Sequence, residues 1–135
     1  MYTDVVLSCK AVGKEIRMKL LDDQNPRLCE EIKKVLPLKS LAWHAVISGD
    51  NAGFFIPVVW TGFDNPQERN KGDVFLYANG QLFIVCYNEN TEPGRVNKFG
   101  EIYEESLQDM QELGEIIRQG IMYGDEPFYI EASLA

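Results

Sequence analysis

Apolar and polar positions along the 135-residue chain fall mostly into short alternating or β-rich runs separated by turn chemistry. Val5, Val6 and Leu7, then Ile16, Met18 and Leu20, flank Ala11-Val12-Gly13-Lys14, where Gly13 accepts a positive φ. This pattern predicts a hairpin. Asp22 to Pro26 supplies a helix start, with Asn25 as N-cap and Pro26 at the first helical position, where its missing N–H costs nothing. Leu28, Ile32, Val35 and Leu36 then recur at i, i+4, i+7 and i+8, and Pro37 forbids continuation, so a helix of about ten residues is expected.

From Leu41 to Val59 the text is apolar and aromatic, broken by a turn over Ser48-Gly49-Asp50-Asn51-Ala52-Gly53, which predicts a second hairpin. Trp60 to Lys71 has no periodicity and reads as a surface loop. Val74 to Tyr77 and Leu82 to Tyr87 read as strands joined by Ala78-Asn79-Gly80-Gln81. Asn88 to Phe99, polar and centred on Pro93-Gly94, reads as a second long loop, and Glu101-Ile102-Tyr103 as a short strand. Ser106 is placed to cap a helix whose apolar face is Leu107, Met110 and Leu113. Ile116, Ile117 and Ile121 continue that period as one helix, or as two if Gly114 interrupts it.

Pro127 to Ala132 reads as a closing strand that needs an edge beside the N-terminal strands. Seven or eight strands with two non-alternating helices predict a mostly β protein, a closed antiparallel barrel of about eight strands capped by two helices. No repeat or linker divides residues 1–135, so one domain is expected, large enough to bury about two thirds of its extended-chain surface.

Charge then narrows the partners. Thirteen Lys and Arg against twenty-one Asp and Glu give a net charge of −8, a field that repels phosphate backbones and anionic headgroups, so neither nucleic acid nor membrane is expected. Glu101, Glu104, Glu105, Asp109, Glu112 and Glu115 read as a solvated face, lacking the loop spacing and Gly turn of a cation cage. Cys9, Cys29 and Cys86 are odd in number, far apart and set among apolar neighbours, which suits buried thiols in a reducing cytoplasm. With one histidine, His44, and no C-x-x-C, neither a metal nor a cofactor is expected. The N-terminal residues carry no basic region before an apolar run, and no apolar stretch approaches membrane-spanning length.

The order of elements and several motifs resemble the cyclophilin-like fold. Leu20-Leu21-Asp22 through Pro26, Cys29, Ile32 and Leu36-Pro37 is similar to the cyclophilin strand that runs into a Pro-initiated helix. Trp43-His44-Ala45-Val46-Ile47 resembles the aromatic-His-Arg-Ile-Ile strand that carries prolyl isomerase chemistry. Ser48-Gly49-Asp50, Ile56-Pro57-Val58, Asp64-Asn65-Pro66, Gly72-Asp73-Val74, Tyr77 with Gly80, and the Leu107 to Leu113 helix resemble the small prokaryotic cyclophilin-like proteins of unknown function. The resemblance spans about the whole chain and implies the barrel just described. It departs where the isomerase arginine is replaced by Ala45. A methyl group cannot donate to a twisted amide, and loss of such a preorganised donor removes about 10²-fold or more in rate.

Strand alternation places His44 on the face opposite Trp43. Ser48 and Asp50 follow in the turn, yet no nucleophile elbow accompanies them, so a Ser-His-Asp hydrolase is not supported. Comparable aromatics in cyclophilins line an apolar pocket, which the resemblance assigns here to Phe55, Phe83, Tyr87 and Phe99; Glu89, Arg95 and Asn97 supply a polar rim, the composition of a small-molecule cleft. The sequence therefore predicts a ligand site around His44, formed with Ser48, Asp50, Phe55, Phe83, Tyr87, Glu89, Arg95, Asn97 and Phe99, for a compact polar metabolite. Whether the ligand is transformed stays open. The alternatives are a weak peptidyl-prolyl isomerase or proline-peptide module, and a subunit whose barrel serves assembly, including a homo-oligomer.

Overall fold

The computed structural model describes residues 2–124 and 127–135. In chain order its strands and helices are β1 (Thr3–Cys9), β2 (Lys14–Leu20), α1 (Pro26–Lys34), β3 (Leu38–His44), β4 (Gly49–Phe55), β5 (Gln67–Glu68), β6 (Asp73–Tyr77), β7 (Leu82–Asn90), β8 (Arg95–Ile102), α2 (Leu107–Tyr123) and β9 (Tyr129–Leu134). The hairpins β1–β2 and β6–β7 use one turn chemistry. In each, a three-residue 3₁₀ turn is followed by a left-handed residue whose N–H returns to the turn's first carbonyl. Gly13 takes that place at φ +66° in the first hairpin; in the second it falls to Gln81 at φ +51° rather than to the Asn-Gly pair. The connection is longer than a two-residue turn, and the left-handed residue comes after Gly80.

Eight strands close into an antiparallel ring in the order β2-β1-β9-β3-β4-β7-β6-β8, with β8 returning to β2 through Met18↔Ile102 and Leu20↔Gly100. The fold is mostly β and closed, as the pattern predicts. β9 finds the edge it requires between β1 and β3, pairing Leu7↔Ala132 on one side and Leu38↔Ala132 on the other. Side chains alternating inward along these strands, among them Leu7, Met18, Phe54, Val85 and Phe99, form the core. Leu28, Cys29 and Ile32 of α1 and Met110, Leu113 and Ile117 of α2 join that core. α1 follows the end of β2 and α2 follows the end of β8, so each closes a different mouth of the ring.

Several local expectations change. Residues 49–53 are the start of β4 rather than a turn, because Asn51 folds its amide back on the Ser48 carbonyl at 2.9 Å and the chain reverses over 45–48. Residues 95–99 belong to β8, which extends through Glu101 and Ile102. Its polar residues are accommodated because Lys98 is buried against Asp73 at 3.1 Å and Glu101 at 3.0 Å. Asn25 does not cap α1 with its side chain; its Nδ2 donates to the Lys98 carbonyl at 3.0 Å and ties the helix entry to β8. Ser106 likewise leaves α2 uncapped, its Oγ accepting the Arg17 N–H at 3.0 Å. α2 is one helix that runs through Gly114.

The three thiols are free and buried. Burial pushes Cys29 up to about 12 and Cys86 up to about 11. No helix among the described residues is long and apolar enough to cross a membrane.

Gly53 sets the spacing of β4 and β7, since a Cβ there would lie 1.7 Å from the Phe83 carbonyl oxygen. Gly53→Ala is expected to destabilise the barrel by about 3 kcal/mol or more, because backbone rather than a flexible side chain must move. A urea-unfolding midpoint close to that of wild type would refute this.

Candidate functional site

Because β6 stands between β7 and β8 in the ring, the segment joining Asn90 to Arg95 must cross the outside of β6. Two residues of β8 then pair with β5, Gln67↔Val96 and Glu68↔Arg95. The β6–β8 ladder shifts register between Val74 and Phe75 and ends at Leu76↔Asn97. Where the strands part, an open cleft of about 630 Å³ lies between the crossing segment, β6 and residues 60–63. The outer side chains Phe75, Leu82, Ile84 and Cys86, with Trp43 and Val96 against them, form a second apolar cluster under this region.

Arg69 braces the cleft. Its Nε donates to Asn90 Oδ1 and its Nη2 to the Glu92 carbonyl, both at 2.9 Å, while the guanidinium lies 5.3 Å from the Phe75 ring centroid. Phe63 and Tyr77 are exposed aromatics in the lining, and Arg95 is an exposed cation there. Asn97 is 3% exposed and its Oδ1 makes no hydrogen bond; the Trp60 Nε1–H, also buried, makes none. The cleft thus brings together a guanidinium and planar apolar surface, with an unpaired acceptor and an unpaired donor enclosed just behind its lining.

At the other mouth His44 is 4% exposed and points inward, with Trp43 outside. Its Nδ1 is 2.7 Å from the Ala45 carbonyl and its Nε2 is 2.8 Å from Tyr87 Oη. Tyr87 Oη is in turn 3.1 Å from Glu115 Oε1 on α2. Gly114 permits this contact, since a Cβ there would stand 2.5 Å from the Tyr87 ring. Burial holds His44 below its ordinary value of 6.5; the Ala45 carbonyl opposes that shift, as do the Glu115 and Asp50 charges, while Arg118 adds to it. Burial first, and the neighbouring Glu115 carboxylate second, push the Tyr87 hydroxyl up.

The ten residues proposed from sequence do not converge on His44. Phe83 and Phe99 are wholly buried inside the barrel, where Phe83 stacks on Phe54 at 4.4 Å and meets Phe99 edge-on at 5.2 Å. His44 and Tyr87 form the buried pair under α2. Asp50 and Glu89 line a hollow of about 270 Å³ with Ala45 and Arg118, and Ser48 anchors the adjoining turn. Phe55 is exposed at the end of β4. Only Arg95 and Asn97 line the large cleft. Trp60 and Phe63 were read simply as part of a loop, and Phe75 as part of a strand. The crossing of β6 that gathers them is a property of strand order, which no local pattern encodes. Glu115, read as one of a solvated acidic face, is reached by Tyr87; its signal in the sequence is the preceding Gly114 within an otherwise apolar helix stripe.

This closed eight-stranded ring with a helix at each mouth is the cyclophilin-like fold. Among solved structures, the chain is similar to McbB in complex with tryptophan, with a TM-score of 0.89 and 23% identity over 96% of this chain. The chain spans 44% of the McbB chain, under half its length. It is also similar to the hypothetical protein AF2241 from Archaeoglobus fulgidus, with a TM-score of 0.69 and 18% identity over 99% of this chain and 95% of that one. The Mimivirus cyclophilin aligns with a TM-score of 0.55 and 13% identity over 99% and 89% of the respective chains. No protein-family model and no curated protein matches the sequence.

A histidine held below its free value contributes stability that is present above pH 6.5 and is lost as the pH falls toward its folded value, because the unfolded chain binds the proton first. Wild-type unfolding midpoints are therefore expected to fall between pH 7 and 5. His44→Gln is expected to flatten that decline, and an equally steep decline in the variant would exclude His44 as its source.

Proposed function

We propose that the protein binds a small organic molecule in the outer cleft between residues 60–63 and 92–97, and that the ligand carries an acidic group, a hydrogen-bond donor and a planar apolar part. The observation that carries this reading is Asn97: 3% exposed, at the cleft, with its Oδ1 unpaired. An unsatisfied buried amide costs about 1–3 kcal/mol, and a ligand donor that displaces the lining enough to reach the enclosed Oδ1 offsets the cost when bound. Trp60 Nε1–H offers a matching donor, Arg95 attracts the acidic group, and Phe63 and Tyr77 present faces for a ring. In a chain of net charge −8 a guanidinium at a cleft supplies a local field opposite to that of the whole. The tryptophan complex of McbB supports the chemical class, an amino acid with an aromatic side chain, and makes tryptophan the first probe.

Prolyl isomerisation is the less favoured reading. Ala45 is buried, and the guanidinium nearest to it along the hollow, Arg118, lies 3.7 Å from Asp50 and 3.9 Å from Glu115. Among the described residues lining that hollow, Arg118 is the single basic side chain.

Asn97→Leu tests the reading through two opposed effects. Replacing an unpaired buried amide by an apolar group of similar size is expected to raise stability by about 1 kcal/mol while abolishing binding. Arg95→Ala is expected to weaken an acidic ligand about tenfold, with the fold unchanged. Calorimetric titration with tryptophan and a panel of aromatic and aliphatic acids measures both. Equal affinities for wild type and Asn97→Leu, or no binding by any member of the panel, would overturn the assignment.

A further inference from the structure

The His44–Tyr87–Glu115 chain can be read by counting protons. The Ala45 carbonyl only accepts, so the contact at 2.7 Å requires a proton on Nδ1 of His44. Two gaps remain, Nε2 to Oη at 2.8 Å and Oη to Oε1 at 3.1 Å, and each needs one proton to become a hydrogen bond. With imidazole neutral and Glu115 ionised, the single Tyr87 hydroxyl proton serves only one of them. The shorter, buried gap holds it, because Nε2 has no other partner whereas the Glu115 side chain is half exposed and open to water.

We propose that His44, Tyr87 and Glu115 form a proton-operated latch between β3 and α2: above the transition the Tyr87 hydroxyl donates inward to Nε2 and Glu115 is released to Arg118, and uptake of one proton at Nε2 turns that hydroxyl outward onto Glu115. The charged state completes all three hydrogen bonds, Nδ1–H to Ala45 O, Nε2–H to Oη, and Oη–H to Oε1. The proton comes from solvent and returns to it, so no other group changes state.

The surroundings contain both signs of charge. Tyr87 faces His44 from β7, Asp50 from β4, and Glu115 and Arg118 from α2. β9 pairs with β3 only over Leu38–Leu41, where Glu131 stands opposite Lys39 and is bound to Lys10 at 3.1 Å. Arg118 and burial delay proton uptake; Glu115 and Asp50 favour it. Arg118 is therefore the element on which the latch acts, since its partners Glu115 and Asp50 lie at nearly equal distances, 3.9 and 3.7 Å. When Glu115 accepts the hydrogen bond from the Tyr87 hydroxyl, Arg118 is left to Asp50 at the rim of the hollow beside Ala45.

As the only histidine, His44 can be followed directly by ring ¹⁵N and ¹H NMR during a pH titration of the intact protein. The expected result at neutral pH is the Nδ1–H tautomer with Nε2 unprotonated and accepting from Tyr87, converting to the doubly protonated ring below pH 6.5. Glu115→Gln is expected to lower that midpoint by roughly half a pH unit or more, for a charge some 6 Å away in a partly solvated setting. In a Tyr87→Phe background the same substitution is expected to have a smaller effect, since the hydrogen-bond route is gone. An Nε2–H tautomer at neutral pH, or a midpoint indifferent to Glu115, would overturn the latch, and the tautomer measurement requires no variant to fold.

Discussion

The pairing of β8 with β2 is the constraint on which the molecule rests. Without it the other ladders make an open, strongly twisted sheet with two free edges and an inner face exposed to water. Closing the ring brings Gly100 against Leu20, where a Cβ would lie 2.6 Å from the Met18 side chain and 2.9 Å from the Lys19 carbonyl. On the other side of β8, the Lys98 ammonium is nearly enclosed between Asp73 and Glu101. Burial alone would push that lysine down, but the hydrogen bonds to Glu101 and Asp73 outweigh it and hold the charge in place. A buried ion pair is a weak source of net stability, yet leaving one partner alone is costly. A slip of β8 along β6 would strand that charge, so register and closure are fixed together.

Closure also explains why the two mouths differ. At the α2 mouth the helix lies close on the ring because Gly114 has no side chain, and the enclosed His44 and Tyr87 are paired with each other there. At the α1 side the ladder between β6 and β8 gives out after Leu76↔Asn97, and the chain that crossed β6 leaves polar groups enclosed without partners. The guanidinium of Arg27 lies 5.2 Å from the Trp60 ring and Asn65 donates to the Gln24 carbonyl at 3.0 Å, so the cleft wall is attached to the start of α1 rather than hanging free.

Much of the fold was legible because alternation and turn chemistry are local. The 5–20 hairpin, the Pro26 helix, the strand pair around residues 78–81 and the need for a closing strand were all visible in short windows. β8 was not, because Arg95, Asn97 and Lys98 read as solvated loop while the burial of Lys98 depends on Asp73, more than twenty positions away. The site was less legible still. Arg95 and Asn97 were singled out for their chemistry and do line the cleft, but Phe83 and Phe99 could not be told from core by type alone. The missing guanidinium at Ala45 was readable directly, since it is a substitution within a recognisable motif rather than a matter of placement.

Enclosure of all three sulfur atoms has its own consequence. With Cys29 and Cys86 held far above the range in which thiolates form, neither oxidants nor alkylating reagents meet a nucleophile at the surface of the folded barrel. Modification of Cys9 is gated by opening of the ring, that of Cys29 by release of α1 and that of Cys86 by lifting of the cover over the outer cluster, so the three sulfurs time three separate openings of one molecule.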